Sequence, residues 1–207
     1  MIILVFPEGR KGKVAKMKVV AFNGSPRKHG NTHIALEIVL EELGKEGIDT
    51  ELIELGSEKI EHCNACYSCQ KNKDRRCIID TDNVNDHIQK MIEADGVILG
   101  SPVYFGNVSG QMKSFIDRVG LVGRVNGDIF KRKVGAGVAI NRRAGSVATF
   151  ADLNFFFLIG QWIVPGSSYW NVGTAAKPGD IKEDKEGVDI LQTLGKNMAW
   201  LLRKLAE

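Results

Sequence analysis

Long apolar runs are absent from this sequence. The chain starts with a short one, Met1 to Phe6, which has no basic leader before it. A helix that crosses a bilayer needs about 20 apolar residues, and a secretory leader carries a charged segment ahead of its apolar part. We therefore expect a cytoplasmic protein with no membrane partner.

Strong charge of one sign and catalytic motifs are also absent. The formal net charge is +3, and Lys and Arg are scattered instead of alternating with aromatic residues, so no nucleic-acid surface is indicated. No Ser-His-Asp set and no paired carboxylates stand out, so the pattern offers no nucleophile or general base. The 207 residues, 43% of them hydrophobic, are enough for one domain with a substantial core.

Cysteine is scarce, but its four copies are concentrated in one short segment. They form a C-x2-C-x2-C-x7-C motif at Cys63, Cys66, Cys69 and Cys77. A cytoplasmic chain has little use for clustered disulfides, whereas compact sets of soft thiolates bind iron-sulfur clusters or zinc. Zinc sites usually take cysteine pairs from two separated segments, and here three cysteines crowd one turn, so we expect a 4Fe-4S cluster. Structural zinc and empty, partly oxidised thiols are the alternatives.

The order of apolar segments indicates an α/β fold. From Met17 onward, short β-branched runs alternate with longer segments of helical period, which is typical of a parallel sheet with helices on both faces. The predicted strands are Lys18 to Phe22, Thr50 to Leu55, Gly96 to Ser101, Val134 to Ile140 and Trp162 to Val164. Predicted helices include Thr32 to Leu43, Val84 to Ala94 and a last one with an apolar stripe from Leu191 to Leu205.

Five such strands predict a doubly wound sheet of order 2-1-3-4-5, in which ligands bind outside the carboxyl ends of strands 1 and 3. We expect residues 17–207 to form one domain that carries a cysteine-rich loop at 61–80. Residues 1–16 precede the regular pattern and are expected to be an N-terminal extension.

The turn after the first predicted strand suits a phosphate group. Flexible positions, hydroxyls and a cation precede a predicted helix there: Gly24, Ser25, Arg27, Gly30 and Thr32. Asn31 stands where a nucleotide P-loop has its lysine, and no G-x-G-x-x-G motif follows the strand, so ATP and dinucleotides are disfavoured. A polar turn that only caps the helix is the alternative interpretation.

Two further loops follow strands 3 and 4. The second loop, Ser101 to Asn107, brings together an aromatic pair, a glycine and an amide. A flat ring fits there if an aromatic side chain covers one face and backbone N–H groups near Gly106 and Asn107 bind its polar edge. Aromatic residues that serve only the core are the alternative. The third loop, Asn141 to Gly145, contains two arginines, which either stabilise a reduced, anionic flavin or form a solvated basic loop.

Three segments together resemble a known group of proteins. The SPRKHGNT turn, the SPVYFGNVSGQMKSFIDR segment and the cysteine motif are similar to those of the iron-sulfur flavoproteins, a branch of the NADPH-dependent FMN reductase and flavodoxin-like families. The resemblance covers the chain from Met17 to Gly160 and implies a flavodoxin-like fold. It also implies FMN and one 4Fe-4S cluster per subunit, in a homodimer or a larger oligomer such as a homotetramer.

The resemblance assigns site residues as well. It implies that the FMN phosphate is held by Ser25, Arg27, Asn31 and Thr32. It implies that the isoalloxazine ring is held by Pro102, Val103, Tyr104, Phe105, Gly106 and Asn107. The third loop departs from the family pattern, because it has two arginines where relatives tend to be rich in glycine.

The predicted function is electron transfer between FMN and a 4Fe-4S cluster, with a ferredoxin or another redox protein as partner. Basic residues on the cysteine loop would attract such an acidic partner: Lys71, Lys73, Arg75 and Arg76. The main alternative is an NAD(P)H-dependent FMN or quinone reductase in which the cysteine loop is only structural. A zinc-stabilised binding module without redox activity is the third. The run Phe155 to Phe157 is expected to serve either the core or a subunit interface.

Overall fold

The computed structural model describes residues 16–207, so the predicted N-terminal extension lies outside the described residues except for Lys16. The strands are β1 (Lys18–Asn23), β2 (Asp49–Ile53), β3 (Gly96–Pro102), β4 (Val134–Asn141) and β5 (Val172–Thr174). The helices are α1 (Asn31–Lys45), α2 (Ser68–Asn72), α3 (Val84–Glu93), α4 (Gly110–Val125), α5 (Ser146–Ile159) and α6 (Lys185–Ala206). Within this part of the chain, no helix combines the length and apolar character that a membrane crossing requires.

The five strands form one sheet in the order β2-β1-β3-β4-β5, and all neighbouring pairs are parallel. The predicted order is confirmed. Residues of β1 alternate between the two faces: Val20 and Phe22 pack with the core under α3, α4 and α5, and Val19 and Ala21 pack with the core under α1 and α6. A sheet covered on both faces needs strands that are apolar throughout, and β3 and β4 have that character because nearly all of their residues are buried.

The prediction for the fifth strand was wrong. Ile163 makes only one bridge to Val134 of β4, and the chain then leaves the sheet at Pro165, which has no N–H to continue a ladder. The chain returns at β5, which pairs with the carboxyl-terminal end of β4. Asn171 guides this return, since its carbonyl accepts the Ala139 N–H at 3.0 Å and its side chain donates to the Gly137 carbonyl at 3.1 Å.

Candidate functional site

The turn between β1 and α1 presents an open helix N-terminus. The N-cap residue, Gly30, has extended backbone geometry and no side chain that could accept an N–H group of the first turn of α1, and this turn has no acidic residue. Unpaired N–H groups and the helix dipole favour an anion at such an end. Ser25 is buried beside it, and its hydroxyl accepts the Arg27 N–H at 3.2 Å. The local structure therefore fits the predicted phosphate site.

Residues behind the turn hold it in place. Asn23 accepts the Ser25 N–H at 3.0 Å and donates to Glu54 at 2.8 Å. Gly56 packs directly against this turn, because a Cβ atom at its position would overlap the carbonyl group of Ser25. Only a residue without a side chain lets the 55–57 turn approach the phosphate turn this closely.

A cavity of about 270 Å³ opens where the strands end, and we call it the sheet-edge cavity. It is lined by Ser25, Arg27, Asn31, Thr32, Pro102, Val103, Tyr104, Ile140, Asn141, Arg142, Ala175 and Ala176. The four residues predicted to bind a phosphate thus meet three of the six predicted to hold a ring. Arg142 of the third loop also lines the cavity. Ala175 and Ala176, which follow β5, complete the lining, and the sequence pattern did not indicate these two residues.

The side chain of Asn31 is already engaged in protein contacts. Its amide nitrogen donates to the Lys177 carbonyl at 2.8 Å, and its oxygen accepts the N–H of Gly179 at 2.9 Å. These bonds fasten the segment after β5 against the start of α1. Asn31 therefore shapes the wall of the sheet-edge cavity and has its backbone N–H left for a phosphate.

The second loop forms a tight turn in which Tyr104 and Asn107 exchange two backbone hydrogen bonds, at 2.9 and 3.1 Å. The Asn107 N–H is consumed in this turn, in contrast to the expectation that it binds the ring edge. At the tip, Phe105 and Gly106 have positive φ angles, and the Phe105 side chain is fully exposed. Tyr104 is therefore the aromatic residue of this loop that lines the cavity.

The third loop packs on the second. Gly145 has a φ of 90°, and a Cβ atom there would come within 2.9 Å of the Val103 side chain. Asn141 is buried and accepts the Thr174 hydroxyl at 3.2 Å. These contacts join the ends of β3, β4 and β5 into one rim around the sheet-edge cavity.

The four cysteines line a second, smaller space, which we call the cysteine pocket. Its lining also includes Tyr67, Arg118, Leu121 and Val122. The pocket has a volume of about 10 Å³, and in the described part of the chain no three potential metal ligands yet converge on one point. That space holds about one water molecule, so the pocket must open to accept a larger group.

The loop that carries the cysteines has unusual backbone geometry. Ala65, Tyr67, Lys73 and Arg75 all have positive φ angles between 53° and 61°. Such conformations cost about 1–3 kcal/mol per non-glycine residue and are concentrated at functional sites. The segment between β2 and α3 therefore has the strained backbone that is common at functional sites.

The thiols differ in their protonation behaviour. Hydrogen bonds from the side chain and backbone of Ser68 lower the pKa of Cys66, which is exposed two residues before α2 begins. Burial, followed by the nearby sulfurs of Cys77 and Cys66, raises the pKa of Cys69. Cys66 is therefore more readily available as a thiolate than Cys69.

Three side chains outside the loop anchor it, and sequence reasoning missed all three: Asn85, Arg118 and Asn126. Asn85 bonds to the backbone of Cys77, and Asn126 accepts the Arg75 N–H at 3.1 Å. Arg118 lies on the buried face of α4, three residues after Phe115 and one before Val119. A charged residue on the apolar stripe of a helix was the available signal, because it needs acceptors inside the protein.

Comparisons with known proteins agree with this geometry. The family model for the NADPH-dependent FMN reductases matches residues 17–177. The chain belongs to the NADPH-dependent FMN reductase family. Membership makes it a flavin redox protein, as the sheet-edge cavity and its phosphate turn led us to expect.

Relatives and structural neighbours of this FMN reductase family member carry related descriptions. An iron-sulfur flavoprotein from Methanocaldococcus jannaschii is 39% identical over 194 residues, which cover 90% of this chain and 98% of that protein. The crystal structure of RosB with bound 8-demethyl-8-formylriboflavin-5'-phosphate has a TM-score of 0.73 at 21% identity and covers 91% of this chain and 80% of that one. A WrbA-like flavodoxin from Agrobacterium tumefaciens has a TM-score of 0.61 at 16% identity, with coverages of 92% and 99%. The fold is thus flavodoxin-like.

The residues fit both groups that the resemblance implied. The open N-terminus of α1 and the buried hydroxyls of Ser25 and Thr32 suit the phosphate of FMN. The cysteine pocket supplies four thiols, and its wall contains a buried guanidinium N–H, the Nε of Arg118, that no acceptor in residues 16–207 satisfies. Four cysteines around one pocket, with a buried, unsatisfied donor on a lining residue, suit an iron-sulfur cluster.

Proposed function

We propose that this protein is an electron-transfer flavoprotein that binds FMN in the sheet-edge cavity and a 4Fe-4S cluster on Cys63, Cys66, Cys69 and Cys77. The observation that carries the proposal is that all four cysteines line one pocket in a chain that also has an open phosphate-binding helix end. When bound, FMN supplies two-electron chemistry and the cluster supplies one-electron chemistry.

The chain's own residues would bind, orient and shield these groups. The first turn of α1 and the Ser25 hydroxyl would hold the phosphate, while Tyr104 and Val103 would contact the ring. Arg142 at the cavity rim adds positive charge, which favours an anionic ring. Asn85 and Asn126 would keep the cysteine loop closed around its cluster.

Anaerobic purification tests the proposal most directly. We expect FMN, iron and sulfide in a ratio of one FMN to one 4Fe-4S cluster, measured by absorbance and chemical analysis. The variant Cys69→Ala should lose iron and keep FMN, whereas Asn72→Ala, an exposed neighbour at the end of α2, should keep both. Unchanged iron in Cys69→Ala, or zinc in the wild-type protein, would contradict the proposal.

Direct reduction by NAD(P)H is the second candidate function, favoured by the family model that matches residues 17–177. In that case the protein reduces FMN or quinones, and the cysteine loop has only a structural role. Stopped-flow mixing of the FMN-loaded protein with NADPH separates the two functions. Rapid bleaching of the flavin without a mediator, equally fast in Cys69→Ala, would favour the reductase.

The redox partner we propose is an acidic protein of the ferredoxin type. Only part of the predicted basic patch is available for it, since Lys73 donates to the Val125 carbonyl and Arg76 pairs with Asp80 at 2.9 Å. Lys71 and Arg75 are exposed on the same loop. We expect the rate of electron transfer from a reduced ferredoxin to fall as salt increases, and to fall in the double variant Lys71→Glu and Arg75→Glu.

A further inference from the structure

Arg118 is buried at the base of the cysteine pocket, with only 1% of its surface exposed. Its NH1 group bonds to the Glu61 carbonyl at 3.3 Å and to the carboxylate of Asp82, and its NH2 group donates to the Ile79 carbonyl at 2.8 Å. All three acceptors belong to the segment that carries the cysteines. A side chain on α4 therefore ties together both ends of that segment.

One donor of Arg118 remains unused by the protein. Its Nε atom is buried and has no hydrogen-bond acceptor among the described residues. Leaving a buried donor unsatisfied costs about 1–3 kcal/mol, and more for a charged group. The remaining donor capacity of Arg118 therefore needs an acceptor that the polypeptide does not supply.

Cys77 lies beside this guanidinium group. Arg118 and the four cysteines line the same pocket. Burial lowers the pKa of Arg118, but the hydrogen bond to Asp82 and the nearby Cys77 sulfur raise it more, so that the net shift is upward. Arg118 therefore places a fixed positive charge next to the Cys77 side of the cysteine pocket.

We propose that Arg118 is a positioning residue that donates its Nε–H to sulfur on the Cys77 side of the bound cluster and thereby raises the cluster's reduction potential. This inference rests on the cluster of the proposed function. An N–H group donated to a thiolate or sulfide stabilises the more negative, reduced form of a cluster more than the oxidised form. The Asp82 carboxylate and the two carbonyls occupy NH1 and NH2 of the guanidinium, so Nε is the donor left for the sulfur.

The variant Arg118→Lys tests the role, because lysine keeps a positive charge but has neither the Nε–H nor the planar fork. We expect the cluster to be harder to reduce by about tenfold in its one-electron equilibrium, equivalent to about 59 mV, in an anaerobic redox titration followed by electron paramagnetic resonance. The flavin potentials, read by absorbance in the same samples, should stay at the wild-type values.

Two control variants separate a specific donor from general damage. Arg124→Lys changes an exposed arginine on the same helix, which pairs with Asp128 at 3.0 Å, and should leave the cluster potential unchanged. Asn126→Ala loosens the cysteine loop at a different anchor, where the Asn126 amide donates to the Cys69 carbonyl at 3.4 Å. It should lower the thermal stability without lowering the potential.

Each outcome decides the question. A fully loaded Arg118→Lys protein with the wild-type cluster potential overturns the role of Arg118 and leaves the proposed function standing. A decrease of the cluster potential in Asn126→Ala that equals the decrease in Arg118→Lys has the same consequence. Absence of iron and sulfide from the wild-type protein overturns both the role of Arg118 and the proposed function. If Arg118→Lys holds no iron, Arg118 is a structural anchor of the cysteine segment, and its proposed effect on the potential is overturned.

Discussion

Asn85 binds Cys77 at both of its backbone polar groups. The Cys77 N–H donates to Asn85 Oδ1 at 2.8 Å, and Asn85 Nδ2 donates to the Cys77 carbonyl at 3.0 Å. The same amide also contacts the Ile79 carbonyl and the Asp80 carboxylate, at 3.3 and 3.0 Å. Because Asn85 is buried on α3, the position of the last cysteine is set by a helix that lies outside the loop.

Replacing Asn85 with alanine should therefore release Cys77. Two backbone groups of Cys77 lose their bonding partners, at a cost of about 1–3 kcal/mol in unfolding free energy. We expect a lower unfolding midpoint in urea and faster loss of iron in air than in the wild-type protein. Asn72→Ala, which removes an exposed amide from the cysteine loop itself, is the matched control. Equal iron retention in Asn85→Ala and wild type would contradict this role of Asn85.

Acid should destabilise the Asp82–Arg118 pair. Burial raises the pKa of Asp82, but the Arg118 hydrogen bond and the N–H groups of Glu61 and Val84 lower it more, so its folded-state pKa lies below the ordinary value. Stability from such a group is present above the unfolded-state pKa, about 3.9 for aspartate, and is lost as the pH falls through the lower folded-state pKa. Urea unfolding across this range should show the loss.

The variant Asp82→Asn should show a flatter pH dependence below about pH 4 and lower stability at pH 7, by about 3–5 kcal/mol, because a buried arginine is left uncompensated. Asp117→Asn breaks an exposed pair with Lys113 on the same helix and should cost less than about 1 kcal/mol. If both variants lost the same small amount at pH 7, the buried pair would not be an anchor.

A methyl group at Gly56 should weaken FMN binding. The Cβ atom of Gly56→Ala would overlap the Ser25 carbonyl, so the phosphate turn must shift. A displaced turn misaligns the N–H groups that we expect to hold the phosphate, and we expect the Kd for FMN to rise at least about tenfold, or 1.4 kcal/mol.

Quenching of FMN fluorescence on titration into the apoprotein measures this change. Gly44→Ala is the control, because a Cβ atom at that helical position meets nothing within 4 Å. The control should bind FMN like the wild type and unfold at a slightly higher temperature. Unaltered FMN affinity in Gly56→Ala would show that the turn does not need this close approach.

The groove between α4 and α5 should mediate self-association. It has a volume of about 460 Å³ and apolar walls that include Ile116, Leu121 and Ile159. Phe155 of the predicted run is 64% exposed at this groove, whereas Phe156 and Phe157 are buried in the core. Exposed apolar surface of this kind is common at interfaces between subunits.

We expect the wild-type protein to be a homodimer or homotetramer in light scattering after size exclusion, and Phe155→Glu to shift it toward the monomer. Trp200→Glu is the control, since Trp200 is 62% exposed but lies on α6, on the other face of the sheet. A monomeric wild-type protein, or dissociation by Trp200→Glu alone, would assign the groove a different role.

The cysteine spacing, the small and hydroxyl residues of the phosphate turn, and the apolar strands β1, β3 and β4 are local properties of the sequence. They were sufficient to predict the sheet order and the two candidate sites, because periodicity and ligand spacing depend on residues close together in the chain. The sheet order and the family resemblance are confirmed, whereas the ligands themselves stay predictions.

Only the tertiary structure decided the features that join distant residues. The fifth strand is Val172–Thr174 instead of Trp162 to Val164 because the earlier segment leaves the start of β4 after one bridge, whereas the later one pairs with the end of β4, where Asn171 secures it. The bond between Asn85 and Cys77 spans 8 positions, that between Arg118 and Ile79 spans 39, and that between Asn31 and Gly179 spans 148. No local pattern encodes such pairs, since packing of the whole sheet and its helices brings them together.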